Sequence, residues 1–181
     1  GQVPVYYAHP WGSGWHQSES IGFPDYVDCP HRPRYPFGFG LSYTSFAYAG
    51  LEISRKEVPA GENVEISFTV ENTGPVPGDE VAQLYVSDVY ASMTRPVKEL
   101  AGFARVHLEP GEKKRLTFSL HTSQLAFLDQ DMKWKIEHGE IRVEAAASSD
   151  DVRLSGSFRI DGDLWIEGKE REFWAEAAGI S

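Results

Sequence analysis

From residue 46 onward, apolar and polar residues alternate with a period of two. In residues 64–71, for example, Val, Ile, Phe and Val alternate with Glu, Ser, Thr and Glu. Successive side chains of a β-strand point to opposite faces, so this pattern is typical of a strand with one buried and one solvated face. The same pattern recurs at residues 82–86, 116–120, 141–145 and 154–160. These runs therefore predict strands, not helices.

Turn-forming residues separate the alternating runs. Gly, Pro, Ser and Asp occur at residues 59–61, 73–78, 110–111, 138–139 and 148–151. Such residues punctuate strands because they favour turn geometry. About seven short strands at this spacing, with no helical pattern between them, predict an all-β fold, an antiparallel β-sandwich.

The first 45 residues have a different composition. They contain six of the 11 prolines and many of the aromatic residues. Proline removes a backbone donor and restricts the residue before it, so long helices are excluded here and only residues 3–8 are predicted as a strand. An irregular segment so rich in aromatic residues needs a larger surface to pack on, because exposed apolar area of this size is generally avoided.

The charge balance excludes several classes of partner. The chain has 27 acidic and 17 basic residues, a formal net charge of −10, and no basic cluster. It is therefore a poor candidate for binding nucleic acid or an anionic membrane surface. No apolar run is long enough to span a bilayer. A single cysteine, Cys29, cannot form a disulfide within the chain. Cysteine usage therefore does not indicate whether the protein is cytoplasmic or exported.

Acidic pairs and scattered histidines are the obvious candidates for catalysis or metal binding. The acidic pairs lie at predicted strand ends or turns, where solvated turn residues are expected; they are Asp79-Glu80, Asp129/Asp131, Asp150-Asp151 and Asp161/Asp163. The possible metal ligands of the first part lack the spacing of a metal site; they are His9, His16, His31 and Cys29. The residues therefore predict no catalytic group and no metal site in this chain.

Two passages of the sequence resemble a known family. Residues 35–46 read YPFGFGLSYTSF, and residues 78–111 contain VAQLYV followed by RPVKELAGFARVHLEPG. Both resemble signature text of glycoside hydrolase family 3. Residues 1–7, GQVPVYY, are similar to a strand near the end of that family's α/β sandwich domain. The resemblance extends over nearly the whole chain.

The resemblance implies two parts of the fold. Residues 1–45 would be a terminal strand and connector that belong to an α/β domain, and residues 46–160 a fibronectin type III-like sandwich. Residues 161–181 form a tail that contains Trp165, Phe173 and Trp174, and so aromatic a tail is expected to pack on a neighbouring surface. Burial of several aromatic rings of the connector would hold domains together firmly. The predicted domain-docking residues are Tyr35, Phe37, Phe39, Tyr43 and Phe46.

The resemblance also implies a function. The chain would be the non-catalytic C-terminal portion of a retaining β-glucosidase, with both catalytic carboxylates in a barrel and an α/β domain located on a separate chain or an upstream segment. No cofactor is expected, because two carboxylates perform such a hydrolysis. The chain alone is predicted to be inactive. A β-xylosidase or broad β-glycosidase of the same family, and a stand-alone carbohydrate-binding or adhesion sandwich, remain alternatives.

Two further groups of residues carry hypotheses. Trp11 and Trp15 lie in a Gly-containing loop and are candidates for substrate binding at the rim of an active-site cleft, because tryptophan offers a large apolar face with a polar N–H. The alternative is that they anchor the connector. Arg95, Lys98 and Glu99 form a polar run that predicts a solvated loop, whereas the family text at that place suggests a role in domain docking.

Overall fold

The alternating runs of the sequence form the strands of two packed β-sheets. The computed structural model describes residues 6–10 and 33–179. In this part of the chain there are twelve strands and no α-helix, which confirms the all-β prediction. The strands are β1 (Phe46–Ile53), β2 (Glu57–Pro59), β3 (Asn63–Asn72), β4 (Gly78–Asp88), β5 (Glu99–Leu108), β6 (Lys113–His121), β7 (Phe127–Leu128), β8 (Trp134–Ile136), β9 (Gly139–Ala146), β10 (Val152–Asp161), β11 (Leu164–Ile166) and β12 (Glu176–Ala178).

The strands pair almost entirely antiparallel. One sheet has the order β1-β3-β6-β12 and the other has the order β2-β10-β9-β4-β5. A third, small sheet has the order β11-β8-β7. Among these pairs, β2 and β10 are parallel, and the rest are antiparallel. Within the described residues, no helix has the length and hydropathy to cross a membrane.

The core lies between the two large sheets and consists of the inward-facing residues of their strands. In β3 the burial alternates as the sequence predicts, with Ile66 and Phe68 fully buried. The ring of Phe68 stacks on that of Phe118 in β6, with 5.7 Å between centroids. Leu84 of β4 lies opposite Ala145 of β9, and both are fully buried. The sandwich thus has one continuous apolar interior.

The segment after residue 160 packs on the sandwich itself. Strand β11 pairs with β8, and β12 extends the first sheet beside β6. Between them, the backbone N–H of Ala175 donates to the carbonyl of Ala101 at 2.8 Å, and the ring of Trp174 lies edge-on to Phe103 with centroids 5.0 Å apart. These contacts join the end of the described chain to both sheets.

The strand predicted for residues 3–8 is only partly within the described residues. Residues 3–5 lie outside them, Tyr6 is not in a strand, and Tyr7 and Ala8 form a turn. Residues 6–10 are nevertheless joined to the sandwich, because Pro10 forms an isolated β-bridge with Pro96.

Candidate docking surface

The connector, which we define as residues 33–45, crosses the outer face of β4 and is held there by a buried amide. The Nε2 group of Gln83 donates to the carbonyl oxygens of Gly38 and Ala147, at 3.0 and 2.8 Å. Its Oε1 accepts a hydrogen bond of 2.6 Å from the hydroxyl of Tyr85. The N–H of Ser149 donates to the carbonyl of Phe37 at 2.9 Å. The path of the connector is therefore fixed by hydrogen bonds to its backbone.

Residues 6–10 pack beside the connector. The ring of Tyr7 stacks on Phe37 with centroids 4.2 Å apart and meets the edge of Tyr85 at 5.8 Å. Its hydroxyl accepts a hydrogen bond from the N–H of Leu100 at 3.2 Å. Tyr85 is fully buried beneath these contacts, and burial raises the pKa of its hydroxyl. The phenol therefore stays neutral and able to donate to Gln83 at physiological pH.

Most aromatic side chains of the connector are exposed at the surface of the described chain. Four of the five predicted docking residues are exposed: Tyr35, Phe37, Phe39 and Tyr43. The side chain of Tyr43 is 100% exposed, and Leu41 between these rings is 92% exposed. Phe46, the fifth, begins β1 and packs partly buried against the core. The structure thus divides the predicted set into four outward residues and one residue of the sandwich.

An open groove continues this apolar surface onto the sheet. It has a volume of about 390 Å³ and lies between residues 37–42 of the connector and strands β4 and β5. Val81 and Phe103 line it and are 39% and 49% exposed. We call the outward connector residues together with Val81 and Phe103 the docking surface. Such a contiguous apolar surface is typical of an interaction site.

The two acids that line the groove, Asp79 and Glu80, have partners within the chain. The hydroxyl of Tyr48 donates to Glu80 at 2.6 Å, and burial raises the pKa of the Glu80 carboxyl. Asp79 is hydrogen-bonded by His107 and Arg105, which lower the pKa of its carboxyl. Each of these two carboxyl groups is thus hydrogen-bonded within the chain. Within residues 6–10 and 33–179, no three His, Cys, Asp or Glu side chains lie close enough together to hold a metal ion. Both carboxyl groups of the groove therefore have partners within the chain, and the rest of its lining is largely apolar.

Comparison with known proteins agrees with this architecture. Residues 80–149 match the fibronectin type III-like domain family. The thermostable β-glucosidase B of Acetivibrio thermocellus is 39% identical over 147 residues, which are 81% of this chain and 20% of that protein. A β-xylosidase of Formosa agariphila is 42% identical over 84% of this chain and 21% of its own. This chain corresponds to the C-terminal part of family 3 glycoside hydrolases. The resemblance noted in the sequence is thus confirmed.

A solved structure gives the same correspondence. The β-glucosidase from Listeria innocua in complex with glucose superimposes with a TM-score of 0.79 and 38% identity. The match covers 89% of this chain and 22% of that one. The fibronectin type III-like domain and its flanking segments thus span about a fifth of the length of the relatives they match.

The polar run at residues 95–99 is not a solvated loop, and that expectation was wrong. The side chain of Arg95 is only 12% exposed; its guanidinium lies over the ring of Phe127 and its Nη2 is 2.8 Å from Glu99. The Nζ of Lys98 is 2.8 Å from Glu144 and donates to the carbonyl of Ser149 at 2.9 Å. These partners bind the run into the fibronectin type III-like domain.

Trp11 and Trp15 lie outside the described residues, so the hypothesis that they bind substrate stays a prediction.

The described surface adds residues that sequence reasoning missed. Gln83 is the clearest, because a polar residue within the apolar run VAQLYV is an available signal of a specific buried contact. Leu41 could also have been predicted as part of this surface, because it lies between the aromatic residues of the connector in the sequence.

We predict that Gly38→Ala destabilises the connector, by about 2 kcal/mol. Gly38 has a φ of +78°, which disfavours any residue with a Cβ atom, and an added Cβ would overlap the amide of Gln83. Urea denaturation and limited proteolysis at residues 33–45 would measure the effect. Gly40→Ala is the matched control, because nothing lies within 4 Å of its added Cβ. Equal behaviour of the two variants would contradict the role of the Gly38–Gln83 contact.

Proposed function

We propose that this chain is the non-catalytic C-terminal portion of a retaining β-glucosidase that hydrolyses terminal non-reducing β-D-glucosyl residues. Its role is to dock onto the catalytic domains and to stabilise them. The observation that carries the proposal is the docking surface, since the chain covers about a fifth of β-glucosidases and exposes apolar side chains along its connector. The occupant of this surface would be the α/β domain of the same enzyme.

The proposal assigns the hydrolytic chemistry to the other domains of the enzyme. Retaining hydrolysis needs two carboxyl groups about 5–5.5 Å apart, one ionised and one protonated. Asp79 is held ionised by Arg105 and His107, and Glu80 is bonded to Tyr48. Both acids are thus committed to structural contacts, and the proposal places nucleophile and acid/base in the barrel and the α/β domain.

A β-xylosidase is the second candidate. The relative from Formosa agariphila named a β-xylosidase is 42% identical, against 39% for the thermostable β-glucosidase B. The docking surface supports both activities equally, because relatives of both names match this chain to a similar extent. Parallel assays with p-nitrophenyl β-glucoside and β-xyloside on the assembled enzyme separate them.

The direct test is turnover by the chain and by the assembled enzyme. We predict that the purified chain does not cleave either chromogenic substrate. Mixing it with the separately produced barrel and α/β domains should give an enzyme that cleaves the substrate and whose melting temperature depends on the presence of this chain. The control is the catalytic domains alone, which should have a lower melting temperature. Turnover by the chain alone, or an unchanged melting temperature on its addition, would refute the proposal.

A further inference from the structure

A second groove lies away from the docking surface, around an exposed tryptophan. It has a volume of about 240 Å³ and lies between the loop after β4, the turn between β7 and β8, and strand β11. Trp165 in β11 lines it and is 54% exposed. No residue of the docking surface lines this groove. The proposed docking role therefore leaves the exposed indole unexplained.

The indole of Trp165 is held in one orientation. Its Nε1–H donates to Oδ2 of Asp129 at 2.9 Å. The ammonium of Lys135, its cross-strand neighbour, lies 5.3 Å from the ring centroid. A large apolar ring that stays exposed and is fixed by two polar contacts presents a preorganised flat surface, which lowers the entropic cost of binding.

Asp129 also fixes the turn beside the indole. Its Oδ1 accepts the backbone N–H groups of Asp131 and Lys133, each at 3.0 Å. These hydrogen bonds, with that from Trp165, lower the pKa of the Asp129 carboxyl. Met132 in the same turn has a φ of +60°. One carboxylate therefore orders both the aromatic ring and the wall of the groove.

Apart from Met93, the remaining lining is polar and has an acidic balance. Ser92, Gln130 and Asp131 supply an exposed hydroxyl, amide and carboxylate around the ring. Lys135 is already neutralised, because its Nζ is 2.9 Å from Glu137 and 2.8 Å from Asp163. Lys135 is the one cation among the described residues that line the groove, so an anionic ligand there would meet the carboxylates of Asp129 and Asp131.

We propose that the Trp165 groove binds a neutral glycan, with one hexose ring stacked on the indole and its hydroxyl groups bonded to the polar rim. The aromatic face suits the C–H face of a sugar, and the amide, hydroxyl and carboxylate groups suit sugar hydroxyls. The groove is below the usual size of a ligand pocket, so it takes about one ring, with a Kd of about 1–10 mM. This binding needs no catalytic domain.

NMR of the 181-residue chain tests the proposal. The five tryptophans give indole N–H signals, and that of Trp165 is assigned by its loss in Trp165→Phe. We expect laminaritetraose or cellotetraose to shift this signal saturably, and a galacturonic acid tetramer to bind at least about ten-fold more weakly. Because the Trp165 variants lack this signal, their affinities are measured from the backbone N–H shifts of Gln130 and Asp131. Trp165→Ala should lose at least about ten-fold in affinity for the neutral glycans, whereas Trp165→Phe, which keeps a ring, should lose less.

Trp174→Ala is the matched control, because Trp174 is also exposed, 40%, but packs on Phe103 outside the groove. It should leave the affinity unchanged, and melting temperatures should verify the fold of every variant. Absence of a shift at about 50 mM glycan overturns the proposal, as does equal binding of the acidic tetramer. Loss of association with the catalytic domains in Trp165→Ala, with no change in glycan affinity, would instead assign the ring to a protein contact.

Discussion

Replacing Asn72 with Ala is expected to lower the free energy of unfolding by about 3 kcal/mol, although it removes only a few atoms. Asn72 is fully buried at the end of β3. Its Nδ2 donates to the carbonyl oxygens of Val76 and Leu108, at 2.8 and 2.9 Å. Its Oδ1 accepts from the hydroxyl of Thr44 at 2.6 Å and from the N–H of Gly74 at 3.0 Å.

The expected loss is large because the amide joins three separate segments. It links the connector to the turn between β3 and β4 and to the end of β5. Alanine would leave two carbonyl oxygens, one N–H and one hydroxyl without their partner. Each buried polar group left unsatisfied costs about 1–3 kcal/mol, and partial access of water to some of them reduces the sum.

Urea denaturation at neutral pH would measure the change. Asn63→Ala is the matched control, because Asn63 is the only other asparagine of the chain and lies exposed at the start of the same strand. Its Oδ1 accepts a hydrogen bond of 3.4 Å from Ser119, so its loss should change stability by less than about 0.5 kcal/mol. Similar effects of the two substitutions would show that the Asn72 network is not what stabilises the connector.

Asn72 also illustrates where sequence reasoning ended. Alternation predicted the strand that contains it, because a period of two depends only on neighbouring residues. Two of its hydrogen-bond partners, Thr44 and Leu108, are 28 and 36 residues away, and no local pattern encodes such pairs. The same reason explains the wrong expectation for Lys98, whose partners Glu144 and Ser149 are 46 and 51 residues away.

Strand length explains part of what was missed of the fold. Strands β3, β4, β6, β9 and β10 have eight or more residues, and their alternation was visible. Strands β1 and β5, with eight and ten residues, were not among the alternating runs. Strands such as β7, with two residues, and β8, with three, are too short to have a period. Their pairing is decided by neighbouring strands, as Trp165 opposite Lys135 illustrates.

The docking surface could be predicted only in part, for a related reason. The connector aromatics are close in sequence and are conspicuous outside a strand pattern. Val81 and Phe103 lie on β4 and β5, where an apolar residue at an outward position looks like an ordinary strand residue. The fold alone brings them beside the connector.

The double substitution Phe39→Ala/Tyr43→Ala is expected to weaken association with the catalytic domains by at least about 100-fold. Phe39 and Tyr43 are 44% and 100% exposed in this chain, so docking is the step that would bury them. Burial of one such side chain contributes about 1.5–3 kcal/mol, and 1.4 kcal/mol is a factor of ten in affinity. The substitution should leave the fold of the isolated chain intact, because these rings contribute little to its core.

The matched control is Phe173→Ala/Tyr90→Ala, which removes the same two residue types from exposed positions outside the docking surface, 69% and 83% exposed. Affinity for the separately produced catalytic domains, measured by calorimetry, should be unchanged in the control. The melting temperature of the assembled enzyme should fall only in the connector variant.

If both double variants bind equally well, the connector aromatics do not form the contact. If both bind equally poorly, exposed aromatic residues in general, and not this surface, account for the association. Only a loss confined to Phe39 and Tyr43 agrees with a docking surface that runs along the connector.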